Sequence, residues 1–221
     1  EEFEAEVEVT LEAGDLLYIP PHVGHRGQSL TKNSISYSFG YRSYQAQELW
    51  DSFGDYMSEN NLLNKLYRDP NWNQQKFPGN VSDDACQQAK ELLLQSLDDD
   101  NNIRLWFSRF ATQLDSQASA LVAEPLEETD AGSLSEFFDK LEVSGGLTRD
   151  LNSRIAFCEQ GKGLNLFVNG YAFDAGEAAQ EFIKLIASRR SLAIEEISPY
   201  LTDKANQALL YDLYKNQTLH L

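Results

Sequence analysis

Three histidines, His22, His25 and His220, are the only imidazoles in a chain of 221 residues, and two of them fall in one short run. That run is Gly14-Asp15-Leu16-Leu17-Tyr18-Ile19-Pro20-Pro21-His22-Val23-Gly24-His25. A Gly-Asp turn launches a strand, and the Pro pair removes two ladder donors and ends pairing. The loop then returns the chain so that His25 opens the neighbouring strand with its ring aimed inward. Such a placement offers one metal ligand. A non-haem Fe(II) site takes two His and one carboxylate on one face of the metal. Its other two ligands usually come as His-x-Asp/Glu on an earlier strand. None of the three histidines is followed two places later by Asp or Glu, so the other two ligands are absent from this chain. His22 reads as a loop residue, and His220, next to the C-terminus, as a frayed one.

The surrounding elements must position His25. Glu4-Ala5-Glu6-Val7-Glu8-Val9 alternates with period two, as a strand with one apolar and one carboxylate face does. After the Thr31-Lys32-Asn33 turn, Ser34 to Tyr41 places Ile35, Tyr37, Phe39 and Tyr41 on one face and Ser34, Ser36, Ser38 and Gly40 on the other. A bare, hydroxyl-bearing face suits a barrel wall that encloses a ligand, and equally a small-residue face under a neighbouring sheet. The chain opens within this pattern, and its only methionine is Met57. The expectation is the C-terminal part of a longer protein, starting inside a β domain.

From Ser43 the period shifts to 3.6. Helices are expected over Leu49 to Met57, through Leu62, Leu63 and Leu66, from a Ser82 cap through Leu97, and over Ile103 to Leu114. Their wide aromatic stripes predict a homodimer through this region. Leu121 to Gly132 reads as a linker. Beyond it come a capped helix on Leu134, Phe137, Phe138 and Leu141, then strands around the Gly161-Lys162-Gly163 turn and the Asn169-Gly170 hairpin signal. Two further helices, over Ala178 to Ile186 and from Asp203 to Tyr214, complete a winged-helix-like domain. The fold class is α+β: a β part over 1–42, a helical dimerisation region over 43–120, a linker over 121–132 and the winged-helix-like domain over 133–221.

Composition narrows function. With 42% hydrophobic residues and no run of the length a membrane span requires, the chain reads as a globular protein with no membrane role. Eighteen Lys and Arg against 35 Asp and Glu give a net charge of −17, which opposes a broad phosphate-binding surface and favours basic partners. Residues 133–199 carry ten acidic and seven basic side chains, so duplex DNA is not an expected ligand of the winged-helix-like part. Cys86 and Cys158 show neither disulfide nor zinc spacing, which fits a reducing cytoplasm.

The segment from Gly14 to Arg42 resembles the second half of a cupin-type barrel and, more closely, the JmjC ribosomal oxygenases of bacteria. Their pattern of Gly-Asp-(Ile/Leu)-Leu-Tyr-Ile-Pro-Pro, a short loop, His, and a Tyr-Ser-x-Gly-(Phe/Tyr)-Arg strand is matched by Gly14–Pro21, His25 and Tyr37-Ser38-Phe39-Gly40-Tyr41-Arg42. Gly145-Gly146-Leu147 and Asn169-Gly170 match later segments in the same order. The resemblance implies a C-terminal portion of a 2-oxoglutarate and Fe(II) dependent hydroxylase acting on an arginine of a large-subunit ribosomal protein. It implies His25 as the distal iron ligand. Ser36 falls where the family turns a polar side chain, often Asn, towards the cosubstrate. The alternative reading is a non-catalytic dimeric scaffold or binding module that retains a cupin remnant, because this chain lacks the His-x-Asp pair.

Overall fold

Helix-starting side chains set the architecture of residues 44–221. The computed structural model describes residues 4, 6–40, 43–70, 77 and 79–221, and its contacts divide the chain into two units, 1–43 and 44–221. In the second unit α1 (Ala46–Glu59) buries Phe53, Tyr56 and Met57. Ser82 caps α2 (Asp83–Leu94) by accepting from the Ala85 N–H at 3.1 Å. Asp99 does the same for α3 (Asp100–Thr112) through the Asn101 and Asn102 N–H groups. Phe53, Tyr56, Met57 and Trp106 form one small core. There the Trp106 ring meets Phe53 edge-on at 5.1 Å and its N–H donates to the Ser52 hydroxyl.

Two short helices, α4 (Ser116–Ser119) and α5 (Glu128–Ala131), follow. The stretch expected as a linker is pinned here. Ala131 is fully buried, and the Leu126 N–H donates to the Lys215 carbonyl at 2.8 Å. Helix α6 (Leu134–Ser144) starts at a reciprocal Ser133/Glu136 capping box and ends where Gly145 adopts φ +76. β1 (Gly146–Arg149) follows at once.

The expected small sheet is present. β2 (Ile155–Gln160), β3 (Gly163–Val168) and β4 (Tyr171–Phe173) pair antiparallel in that order, with Gln160 opposite Gly163 and Val168 opposite Tyr171. Both connections are therefore two-residue turns. In the second, Asn169 and Gly170 have φ +52 and +88, the doubly positive geometry for which Asn-Gly is suited. Helix α7 (Gln180–Ser188), β5 (Ser191–Ala193), α8 (Ile194–Ile197), a 3-10 turn, α9 (Lys204–Lys215) and β6 (Leu219–His220) complete the unit. A second sheet has the order β5-β1-β6, all antiparallel. The larger core sits between these elements, with Phe137, Leu141, Phe182, Ile186, Ile197, Leu210 and Leu213 fully buried.

Neither end of α7 is closed by its own residues. Asn206 of α9, 2% exposed, accepts from the Ala179 N–H at 2.7 Å and donates to the Tyr200 carbonyl. At the other end Arg149 Nη2 donates to the carbonyls of Ile186, Ala187 and Arg189 at 2.7–2.9 Å. Orphan helix-end groups are thus satisfied from α9 and β1.

The first unit departs from expectation. Among its described residues no strand forms, and every side chain but that of Ile19 is exposed, including Leu16, Ile35, Tyr37 and Phe39 at 80–89%. The C-terminal part of a cupin or JmjC barrel expected over 1–42 is therefore not assembled as sheet here. The physical reason is that a β-strand is stabilised by its neighbours, and the alternating segments of this unit do not pair with one another. Tyr41 and Arg42, the end of the strand motif, lie outside the described residues. The helix expected through Leu62, Leu63 and Leu66 also does not form: after Asn61 (φ +54) the chain runs without regular structure to Asp69.

Candidate functional site

The His25 loop is built by local bonds. Gly14, at φ +99, makes the turn that the Gly-Asp pair predicts. There Asp15 donates its N–H to the Glu12 carbonyl and accepts the Glu12 N–H on its carboxylate at 2.8 Å. After Pro20 the Val23 N–H returns to the Pro20 carbonyl, with His22 in the left-handed region at φ +66. A loop position with that backbone suits glycine at least as well as His. His25 Nδ1 then donates to the Val23 carbonyl at 3.2 Å. A carbonyl only accepts, so the proton of a neutral ring resides on Nδ1 and the Nε2 lone pair is left for another partner.

The ring is exposed and leaves Nε2 without a partner among the described residues. Among the described residues no group of three or more His, Cys, Asp or Glu is placed to hold a metal ion. The donor set of these residues therefore does not amount to a facial iron triad. Ser36 is exposed and outside any regular element, and no hydrogen bond joins it to His25. His220 is not frayed. It pairs with Thr148 in β6, and its Nε2 lies 3.4 Å from the Asp150 carboxylate. Burial pushes the Asp150 carboxyl up, but bonds from the Asn152 N–H, His220 and the Ser153 N–H outweigh it and hold the group below the usual carboxylate range.

Three arginines that the sequence does not bring together line one pocket of the second unit. Arg149, Arg154 and Arg190, together with Asn152 and Ser153, line a pocket of about 530 Å³. Their spacing along the chain carries no signal. Only the pairing of β1 with β5 and the Arg149 N–H bond to the Arg190 carbonyl bring the first and last together.

An irregular, exposed segment carrying His25 precedes a helical and small-sheet unit in the chain. The chain belongs to the ROXA-like winged-helix family, whose pattern matches residues 93–220, and the JmjC domain family matches residues 1–49. The expected resemblance to bacterial JmjC ribosomal oxygenases is borne out by relatives. The chain is 28% identical over 208 residues to the ribosomal protein uL16 3-hydroxylase of Escherichia coli K12, an alignment covering 94% of this chain and 52% of that protein. It thus spans about half the length of that relative. Solved structures of the E. coli ribosomal oxygenase YcfD share the fold. One matches with a TM-score of 0.64 at 23% identity, covering 81% of this chain and 47% of that one. Another, of YcfD with cobalt and 2-oxoglutarate, matches with a TM-score of 0.63 at 22% identity, covering 81% and 46%.

Proposed function

We propose that this chain is part of a 2-oxoglutarate and Fe(II) dependent protein hydroxylase that acts on an arginine of a basic ribosomal protein, with His25 as one of three iron ligands and Ser36 turned towards the cosubstrate. The observation that carries the reading is the His25 ring, whose Nδ1 bond to the Val23 carbonyl frees Nε2 for a metal, inside the segment that matches the JmjC family. Similarity to a uL16 hydroxylase along nearly the whole chain supports the same substrate class. So does a net charge of −17, which attracts a Lys- and Arg-rich partner over long range. When bound, iron and 2-oxoglutarate would activate O2, one oxygen atom passing to the substrate C–H bond and the other to the succinate left as 2-oxoglutarate loses CO2. The part assigned to this chain is to hold one imidazole in a fixed tautomer and to present a hydroxyl beside it.

The division into a JmjC segment over 1–42, a dimerisation region over 43–120, a connecting stretch over 121–132 and a winged-helix-like domain over 133–221 belongs to the same proposal, as does a cytoplasmic setting. Homodimerisation through the helices is supported by exposed apolar side chains on α1, α2 and α3: Trp50, Leu93, Leu94 and Phe107 are 46–54% exposed. Duplex DNA and membranes are not among the proposed partners. Among the described residues no helix is long and apolar enough to cross a membrane.

The second reading, a non-catalytic dimeric scaffold, rests on the lone ligand. Hydroxylation of the ribosomal substrate, followed by mass spectrometry, separates the two. In a protein that contains this chain together with a His-x-Asp/Glu strand, His25→Ala is expected to abolish the added oxygen while leaving fold and dimer intact. Persistence of the oxygen at near wild-type yield, or a coding sequence that supplies no such strand, sinks the enzyme reading.

A further inference from the structure

Three arginines, Arg149, Arg154 and Arg190, line one pocket of the second unit without an ion-pair partner among the described residues. Arg109, Lys184, Arg189 and Lys215 each lie within 4 Å of an Asp or Glu oxygen. Among the described residues, Arg149, Arg154 and Arg190 do not. Their charges sit in one pocket of about 530 Å³, and each spends only part of its donor capacity on backbone. Arg154 Nη1 donates to the Gln113 carbonyl at 2.7 Å, and Arg190 Nη2 donates to the Leu151 carbonyl at 3.4 Å. Arg149 closes the end of α7 through Nη2 alone, and its buried Nε–H finds no acceptor in the protein. A guanidinium has five N–H donors, so the three groups retain most of theirs. Ser153 adds a buried hydroxyl. Its oxygen accepts from Asn169 Nδ2 at 3.2 Å, and its own proton has no acceptor within the protein.

The nearby acid is committed elsewhere, because Asp150 accepts from the Asn152 and Ser153 N–H groups and from His220. Crowded positive charge is costly: burial and the facing Arg190 both push the Arg149 guanidinium down. In a chain of net charge −17 a local excess of this kind has no general electrostatic origin. It calls for an anion.

We propose that Arg149, Arg154, Arg190 and Ser153 form a binding site for the phosphate group of a small phosphomonoester. The planar forks match phosphate oxygens in pairs, and a dianion neutralises more of the three charges than a single carboxylate does. The pocket volume falls within the range of small-molecule sites, about 300–1,000 Å³. One isolated cluster on an acidic surface does not make a track for a nucleic-acid backbone. This site is independent of the hydroxylase reading.

The test uses the full 221-residue chain and inorganic phosphate as probe, titrated at constant ionic strength against chloride. Thermal unfolding and ³¹P line broadening are the readouts. The expected result is a saturable rise in Tm and saturable broadening. Both weaken about tenfold in Arg154→Gln and in Arg190→Gln and vanish in the double variant, with circular dichroism unchanged. Should the double variant not fold, Arg190→Gln decides alone, since that side chain is exposed. A rise that stays linear in phosphate, or variants that titrate like the wild type, overturns the site.

Discussion

The Gly170 N–H donates to the Thr112 hydroxyl oxygen at 3.1 Å, so the tip of the β3–β4 hairpin is fastened to the end of α3. Thr112 in turn donates back to the Ser108 and Arg109 carbonyls of its own helix. Arg109 Nε donates to the Gly170 carbonyl at 3.3 Å, and the Gly170 α-carbon faces the Gln113 backbone closely enough that a Cβ would lie 3.2 Å from the Gln113 Cα. A turn that requires positive φ is therefore also the turn that docks.

Thr112→Val is expected to destabilise the chain by about 1–3 kcal/mol, because it leaves the Gly170 N–H unpaired at a site where Thr112 is 2% exposed. Thr112→Ser, which keeps the oxygen, should recover most of the loss. Urea denaturation of the three proteins measures it.

Gly146→Ala is expected to cost about 2–4 kcal/mol or to prevent folding. A Cβ there would overlap the Leu192 carbonyl oxygen and stand 3.1 Å from the Ala193 Cα, in the β1–β5 pair. The obstacle is paired backbone rather than a flexible side chain, so it has little room to yield. A Tm within a degree or two of wild type would show that the pair can separate.

The depressed Asp150 carboxyl makes a contribution to stability with a definite sign. It is fully present above the ordinary Asp range, about pH 4, and is lost as pH falls through the lower value of the folded state. Asp150→Asn should lower stability at neutral pH by about 1–2 kcal/mol and flatten the acid limb of the unfolding profile. An unchanged acid limb in the variant would mean that other carboxylates govern it.

Trp106 and Phe107 are neighbours with opposite duties. Trp106 is 9% exposed and hydrogen-bonded to Ser52, whereas Phe107 is 48% exposed. Trp106→Asp should unfold the α1–α3 core. Phe107→Asp should keep helical circular dichroism and, on the proposed dimer, shift light scattering to the monomer mass. A Phe107→Asp chain that stays dimeric at low micromolar concentration would place the interface elsewhere.

The second unit was legible where the signal is local. Ser82 and Ser133 caps, the Asn169-Gly170 turn and the 3.6-residue stripe of α1 each depend on a few neighbouring residues, and each appears where the pattern puts it. What escaped depends on distant partners. The closing of α7 by Asn206 and Arg149, the His220–Asp150 pair and the three-arginine pocket join residues 27 to 70 positions apart or more than one element. No periodicity encodes them. For the candidate site the asymmetry is sharper. The Gly14 turn was readable from residue types, whereas His25, expected to open a strand with its ring aimed inward, is exposed and in no strand, because the flanking strands need partners that the described residues of the unit do not provide.

The exposed alternation of the first unit bears on aggregation through that segment. Glu4, Glu6, Glu8 and Glu12 recur on every second or fourth residue beside Val7, Val9 and Leu11, which are 50–79% exposed. A stretch that could template a foreign strand along its apolar side thus presents a row of carboxylates on the other. Two such segments laid edge to edge would set like charges against each other at strand spacing, so these carboxylates oppose self-association through this segment.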